Sequence, residues 1–284
     1  MKYKIINQHL EAEFKRKGAE LCSLKSINNG TEYIWQAGDV WPRHAPILFP
    51  IVGSLKDHQY RLNGREFNLR HHGFARDMDF DVLHQSEHSI AFIIAESEET
   101  LRDFPFEFRF IVTYSLKENK LIQSFRVINR SPNKMPFSFG AHPAFNANPI
   151  QNYALKFIGE EDQPFTMETP YISNNNKEVV QNGVWKLDEN SFDGDALIFK
   201  QLKSLGIELV NTENNKKVLS VHYKGWPYLG IWAKPAAPYV CIEPWFGLAD
   251  VLGHDGNIES KEGIQWLEAN KEFEAEFEIE INDL

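Results

Sequence analysis

The chain is predicted to be all-β, a large antiparallel β-sandwich with two sheets packed face to face, and three observations carry that prediction. The final run alternates strictly: Phe273, Ala275, Phe277, Ile279 and Ile281 interleave with Glu272, Glu274, Glu276, Glu278 and Glu280, the period of two that turns one face to a core and the other to water. Short apolar runs recur along the chain, separated by the Gly, Pro, Asn and Asp clusters that punctuate turns. Few segments show helical period and no compositional shift or flexible linker marks a boundary, so residues 1–284 are expected to form one domain.

In order, Lys2 to Asn7, His9 to Phe14 and Glu20 to Ile27 are short strands divided by polar or glycine breaks; Asn28-Asn29-Gly30 is a turn and Thr31 to Trp35 continues the pattern. Trp41-Pro42-Arg43-His44-Ala45-Pro46 is too rich in proline for regular structure and is expected to loop over the surface. Ile47 to Ser54 is almost wholly apolar, which suits a strand buried on both faces. Asn63-Gly64 sits where a tight hairpin needs φ above zero at both central positions. Phe106, Phe108, Phe110, Val112 and Tyr114 share one face; Lys117 to Lys120 turns the chain and Leu121 to Asn129 returns, forming a long hairpin. Met135 to Phe139 is a strand leading into His142. Gln151 to Gln201 has little periodicity beyond an acidic turn at Asp193-Gly194-Asp195 and the apolar run after it. Gly206 to Val210, Val218 to Tyr223, Tyr228 to Trp232 and Tyr239 to Glu243 complete a meander. The glutamate row of the last strand has a second expected role, shielding a sheet edge from another chain.

The 284 residues are 42% hydrophobic and 13% aromatic, enough for a substantial core and in keeping with strands, which favour aromatics. A formal charge of -10 without a basic cluster argues against a nucleic-acid partner. Cys22 and Cys241 are the only cysteines and lie far apart, so neither a disulfide framework nor a paired-cysteine zinc site is expected. No apolar run reaches the length of a membrane span and the first residues lack a signal-peptide core. A soluble cytoplasmic protein is expected; nothing sets its oligomeric state.

Two stretches share one grammar, an apolar run, a single ionisable residue, a proline and aromatics. In Phe139-Gly140-Ala141-His142-Pro143-Ala144-Phe145-Asn146 the proline biases His142 towards an extended conformation, and histidine titrates near neutrality, as a general acid or base must. Cys241-Ile242-Glu243-Pro244-Trp245-Phe246-Gly247 repeats the pattern around Glu243. Between them one group can give a proton while the other takes one. The alternative for each is a buried, hydrogen-bonded core residue. In His71-His72-Gly73-Phe74-Ala75-Arg76-Asp77 adjacent histidines on a strand point to opposite faces, so at most one faces a common pocket, His72 being preferred. Trp41, Trp226 and Trp245 are candidate apolar faces for a sugar ring. Dinucleotide and phosphate-loop glycine patterns and metal-ligand spacings are absent, so no cofactor and no metal are expected.

Ala45 to Gly53, His72 to Asp77, Phe139 to Asn146 and Glu243-Pro244-Trp245, in that order, resemble the aldose 1-epimerase (galactose mutarotase) superfamily, in its LacX-like branch, over nearly the whole chain. The resemblance implies a β-supersandwich, no cofactor, and a sugar bound in an open cleft. It implies that His142 protonates the ring oxygen, that Glu243 takes the C1 hydroxyl proton, and that His72 hydrogen-bonds near the ring oxygen. It further implies that Arg76 and Asp195 hold the sugar. Ser54 stands where relatives commonly carry arginine, and Arg43, Lys56 or Arg76 are the substitutes available. The activity implied is anomer interconversion of a hexose; the alternatives are the same reaction on a hexose 6-phosphate, with Arg43, Arg70 and Arg76 at the C6 end, a non-catalytic carbohydrate-binding protein, or a metal-dependent enzyme.

Overall fold

The computed structural model describes residues 2–284. Two large antiparallel sheets form the sandwich, as the alternating runs predict. One has nine strands, in the order Val184–Lys186, Tyr153–Phe157, Gly206–Asn211, Lys216–His222, Glu272–Ile281, Lys120–Asn129, Phe108–Lys117, Ser89–Ala95 and Asp81–Gln85. The other has eight: Tyr171–Asn176, Phe165–Glu168, Leu197–Lys200, Tyr228–Trp232, Tyr239–Phe246, Phe139–Ala141 and Ile47–Leu48 in order, with Ala144–Asn146 pairing on Tyr239–Phe246 as well. Lys2–Ile6, Leu10–Lys15 and Leu21–Ser26 make a separate three-stranded sheet.

Aromatics join the two large sheets. Phe125 of the nine-stranded sheet meets Phe139 of the other with ring centroids 5.1 Å apart, and Phe157 meets Phe199 at 5.1 Å. Phe49, just beyond Ile47–Leu48, stacks on Phe110 at 4.4 Å. These rings are buried; hiding each large side chain from water favours the folded state by about 1.5–3 kcal/mol before conformational entropy is counted. The 106–129 hairpin forms as predicted, Phe108–Lys117 pairing in register with Lys120–Asn129. At Asn63 and Gly64 φ is 51° and 75°, the left-handed pair that the tight turn requires.

Four expectations are corrected. The Glu272–Ile281 strand lies inside its sheet, between Lys216–His222 and Lys120–Asn129, and so guards no edge. Its glutamates pair with polar side chains on the flanking strands, Glu278 with Lys120 at 2.6 Å, Glu280 with His222 at 2.9 Å, and Glu272 with Arg126. Ile47 to Ser54 is buried, but only Ile47–Leu48 is strand; Pro50 has no N–H to continue a ladder, and Gly53 turns away at φ 71°. The 41–46 loop dips inward at His44 and Ala45, both buried, because the carboxylate of Glu20 accepts from their backbone N–H groups at 2.7 and 3.2 Å. Thr31 to Trp35 makes only single bridges, Glu32 to Lys25 and Ile34 to Phe145.

Candidate active site

Strand register brings the two ionisable motifs together. Along Tyr239–Phe246, Gly140 faces Trp245 on one side and Ala144 faces Cys241 on the other. The same antiparallel register sets His142 opposite Glu243, and Pro143 keeps the ladder going by accepting from Ile242 N–H at 3.2 Å. His142 Nε2 and Glu243 Oε2 are 3.3 Å apart. Both residues are buried, 8% and 1% exposed, yet both line a cavity of about 530 Å³, a size suited to a small molecule. Trp41 stacks on the His142 ring, centroids 5.1 Å apart and planes at 26°, while Trp232 and His72 meet it edge-on at 5.7 Å. His142 Nδ1 and Glu243 Oε2 are buried without a hydrogen-bond partner, although buried polar atoms are nearly always paired.

His72 is held differently. Gly53 N–H donates to its Nδ1 at 2.9 Å and Gly53 carbonyl accepts from its backbone N–H at 2.8 Å. A neutral imidazole that accepts at Nδ1 carries its proton on Nε2, so His72 is a donor there. Gly73 has no room for a side chain: a Cβ would stand 2.3 Å from the Phe49 carbonyl oxygen. The two histidines occupy a turn in which His72 has φ 64°, not a strand. Left-handed backbone cancels the expected alternation, and His71 lines the cavity beside His72, ring centroids 3.7 Å apart. His71 Nδ1 is 2.8 Å from Ser54 Oγ.

A family model described as Aldose 1-epimerase matches residues 1–264. The chain belongs to the aldose 1-epimerase family. Protein LacX of Lactococcus lactis is 32% identical over 283 residues, covering 91% of each chain. A galactose mutarotase related enzyme from Lactobacillus acidophilus superposes with a TM-score of 0.94 at 34% identity, covering 99% of this chain and 97% of that one. A galactose mutarotase-like protein from Lactobacillus casei gives 0.93 at 30%, covering 99% and 100%.

Of the remaining residues that the family resemblance singled out, Arg43, Arg76, Asp195 and Trp245 all line the cavity. Asp195 has φ 76°, a strained backbone of the kind found at binding sites, and its carboxylate accepts from Thr169 Oγ1 and from Ala196 N–H. Arg43, Arg70 and Arg76 surround one carboxylate, Asp77, at 3.0, 3.6 and 4.0 Å, which leaves net positive charge beside the cavity. Arg76 donates to the His71 carbonyl at 2.8 Å. Two candidates fall outside: Arg70 and Lys56 are exposed and line no part of this cavity. Trp226 is a core residue, 3% exposed, its indole N–H donating to Glu276 carbonyl at 2.7 Å.

Burial governs the protonation of the central pair. It pulls His142 down to about 3, with Arg76, His71 and Arg43 adding repulsion, and pushes Glu243 well above its ordinary value, helped by the charge of Asp195. His72 is driven well down by burial and then by His71. Burial therefore favours the uncharged form of each partner, His142 without and Glu243 with a proton, so that the couple shares one. Among the described residues one group, His142, Cys241 and Glu243, sets three potential donor atoms within 4.8 Å of one another. The Cys241 thiol is fully buried and pushed well up by that burial, so a metal held there would first have to displace its proton.

Trp232, Lys234, Met167 and Thr169 also line the cavity and escaped sequence reasoning. Trp232 carried a weak signal as the aromatic end of a predicted strand. Met167 and Thr169 fall in the stretch without periodicity, where Phe165–Glu168 and Tyr171–Asn176 are short strands with few fully buried positions.

Proposed function

We propose that the protein is a cofactor-independent aldose 1-epimerase interconverting the α and β anomers of a hexose. The observation that carries this is the 3.3 Å approach of His142 Nε2 to Glu243 Oε2 on the wall of a sugar-sized cavity. The two oxygens that exchange protons in this reaction, O1 and the ring oxygen O5, are bonded to the same carbon. Acid and base must therefore stand side by side, as these do. In the forward half, Glu243 takes the O1 proton, the C1–O5 bond breaks, C1 becomes a carbonyl, and O5 takes the proton of His142. Rotation about C1–C2 presents the other carbonyl face. Reclosure returns a proton from O5 to His142 and one from Glu243 to O1. Proton count in the site is constant throughout, which suits a couple that holds one proton. His72 Nε2–H donates towards the ring oxygen, Asp195 and Arg76 hold hydroxyls, and Trp41 and Trp245 supply apolar faces. General acid–base transfer of this kind contributes ~10²–10⁴-fold.

Arg43 and Arg76, with Lys234, give the cavity a cationic rim, and this supports a second reading in which the hexose carries a 6-phosphate. The protein is read as one domain acting on a small sugar, with no nucleic-acid partner; among the described residues no helix is long and apolar enough to cross a membrane. Both cysteines are free and buried, which supports a reducing, cytoplasmic setting.

Anomer exchange of glucose, galactose and glucose 6-phosphate, followed by NMR with and without chelator, tests these readings. Exchange well above the buffer rate that survives chelation is expected. Exchange no faster than buffer would leave a sugar-binding protein, loss with chelator would point to a metal enzyme, and preference for the phosphate would select the second reading.

A further inference from the structure

Trp245 occupies a seat from which the backbone has been cleared. Its ring spans three strands of the site sheet: a Cβ on Gly140 would stand 2.4 Å from ring atom Cδ1, and one on Gly230 would stand 2.4 Å from Cη2 and 2.5 Å from Cζ2. Neither glycine has a positive φ, so what the fold uses here is the missing side chain. Cδ1 and Cζ2 flank Nε1 on the edge of the indole, so the two glycines fix where the N–H lies. That Nε1 is buried without a hydrogen-bond partner. So is Glu243 Oε2, two residues away on the same face of one strand. A buried donor and a buried acceptor, both orphaned and neighbouring, call for an account.

We propose that the Trp245 indole N–H is a positioning group for Glu243, donating to its carboxylate in the form of the couple where His142 holds the proton and Glu243 is the base. The proposal rests on the epimerase reading of the site. Glu243 shares the cavity lining with His142, His72 and His71, with Asp195 from the acidic turn and with Arg43, Arg76 and Lys234, and Cys241 and Tyr239 lie on its own strand. Burial and Asp195 favour the protonated carboxyl, and Trp245 acts against them. When the proton sits on Glu243 the indole N–H is idle. When it moves to His142, the new carboxylate has a donor held beside it on the same face of its own strand. A stacking role uses the face of the ring, whereas this one uses its edge.

Trp245→Phe separates the two, since Phe keeps a face and loses the donor. Losing a hydrogen bond to a charged group raises the Glu243 pKa by roughly one unit. The active tautomer is then rarer, so kcat/KM on its plateau falls about tenfold and its alkaline limb moves up by roughly one pH unit, while KM for the sugar is unchanged. The Glu243 carboxyl resonance in free, ¹³C-labelled protein moves its midpoint up by the same amount, a readout that needs no turnover. If that midpoint stays put, the proposal is overturned whether or not the protein is an epimerase; a variant that raises KM alone overturns it too. Should Trp245→Phe not fold, the Trp245 indole ¹⁵N–¹H resonance decides: it follows pH with the Glu243 midpoint in the native protein and is flat in Glu243→Gln. A resonance unaffected by Glu243→Gln overturns the proposal.

Discussion

Two of the acid–base pairs that the molecule buries, Lys261–Asp250 and His142–Glu243, are built to opposite rules. Lys261 Nζ and Asp250 Oδ1 are 2.7 Å apart with side chains 0% and 1% exposed. Asp250 Oδ2 accepts from Lys56 N–H at 2.8 Å and lies 3.3 Å from His254 Nδ1, and its own N–H donates to the Ser54 carbonyl at 2.9 Å. No atom of this pair is orphaned. It fastens the segment after the Tyr239–Phe246 strand to Ser54, behind the cavity wall. His142 and Glu243 sit farther apart, at 3.3 Å, and each leaves a buried polar atom unpartnered. A pair that holds structure has its valences filled; a pair meant to act on a substrate keeps some open.

The sharpest way to break this contrast is to remove the charge from each pair in turn. His142→Asn or Glu243→Gln should lower anomer exchange at least ~10²-fold with the melting temperature held or raised, as seen by NMR exchange alongside circular dichroism. Unchanged exchange in either variant would take that residue out of the mechanism. Asp250→Ala should do the reverse, stranding a buried lysine at a cost of roughly 3–5 kcal/mol in urea unfolding, with exchange per folded molecule retained. A variant as stable as the parent would mean that the filled pair contributes nothing.

Acid titration sharpens the same point. The folded-state pKa of His142 lies below the ordinary 6.5, at about 3, so the unfolded chain takes up its proton first. Its contribution to stability is complete above pH 6.5 and lost as pH falls towards 3, by about 1.4 kcal/mol per pH unit. In His142→Asn the stability–pH slope over that window should be shallower by this amount, measured by denaturant unfolding at a series of pH values; an unaltered slope would mean that His142 is charged in the fold. The smallest effect belongs to the rim, where Arg43 is partly exposed and already bound to Asp77. Arg43→Ala should raise KM for a hexose 6-phosphate by about fivefold or less and leave the unphosphorylated sugar untouched. Equal effects on both sugars would remove the arginine from any phosphate site.

Much of the architecture was legible because it is written in local periods. The 106–129 hairpin, the turn at Asn63-Gly64 and the alternation of Phe273 to Ile281 each depend on a few neighbouring residues and on the two-residue repeat of a strand. Legible too were the ionisable residues framed by proline and small or aromatic neighbours, His142 and Glu243 above all. Where signals were long-range, sequence reasoning misplaced them. The glutamate row looked like an edge because its partners, Lys120, Arg126 and His222, lie on strands that only the sheet brings alongside. Trp226 could not be told from Trp245, since both are aromatics in apolar runs and only the packing decides which one meets the cavity.

By itself, then, the order of residues determined strand periodicity, turn positions, the scarcity of helical pattern and which side chains were able to titrate, all properties of the chain over a few bonds. The tertiary structure alone decided the order of strands in each sheet, the left-handed turn that puts His71 and His72 on one side, and the meeting of His142 with Glu243. It also decided their protonation, because a pKa answers to burial and to charges that arrive from distant parts of the chain.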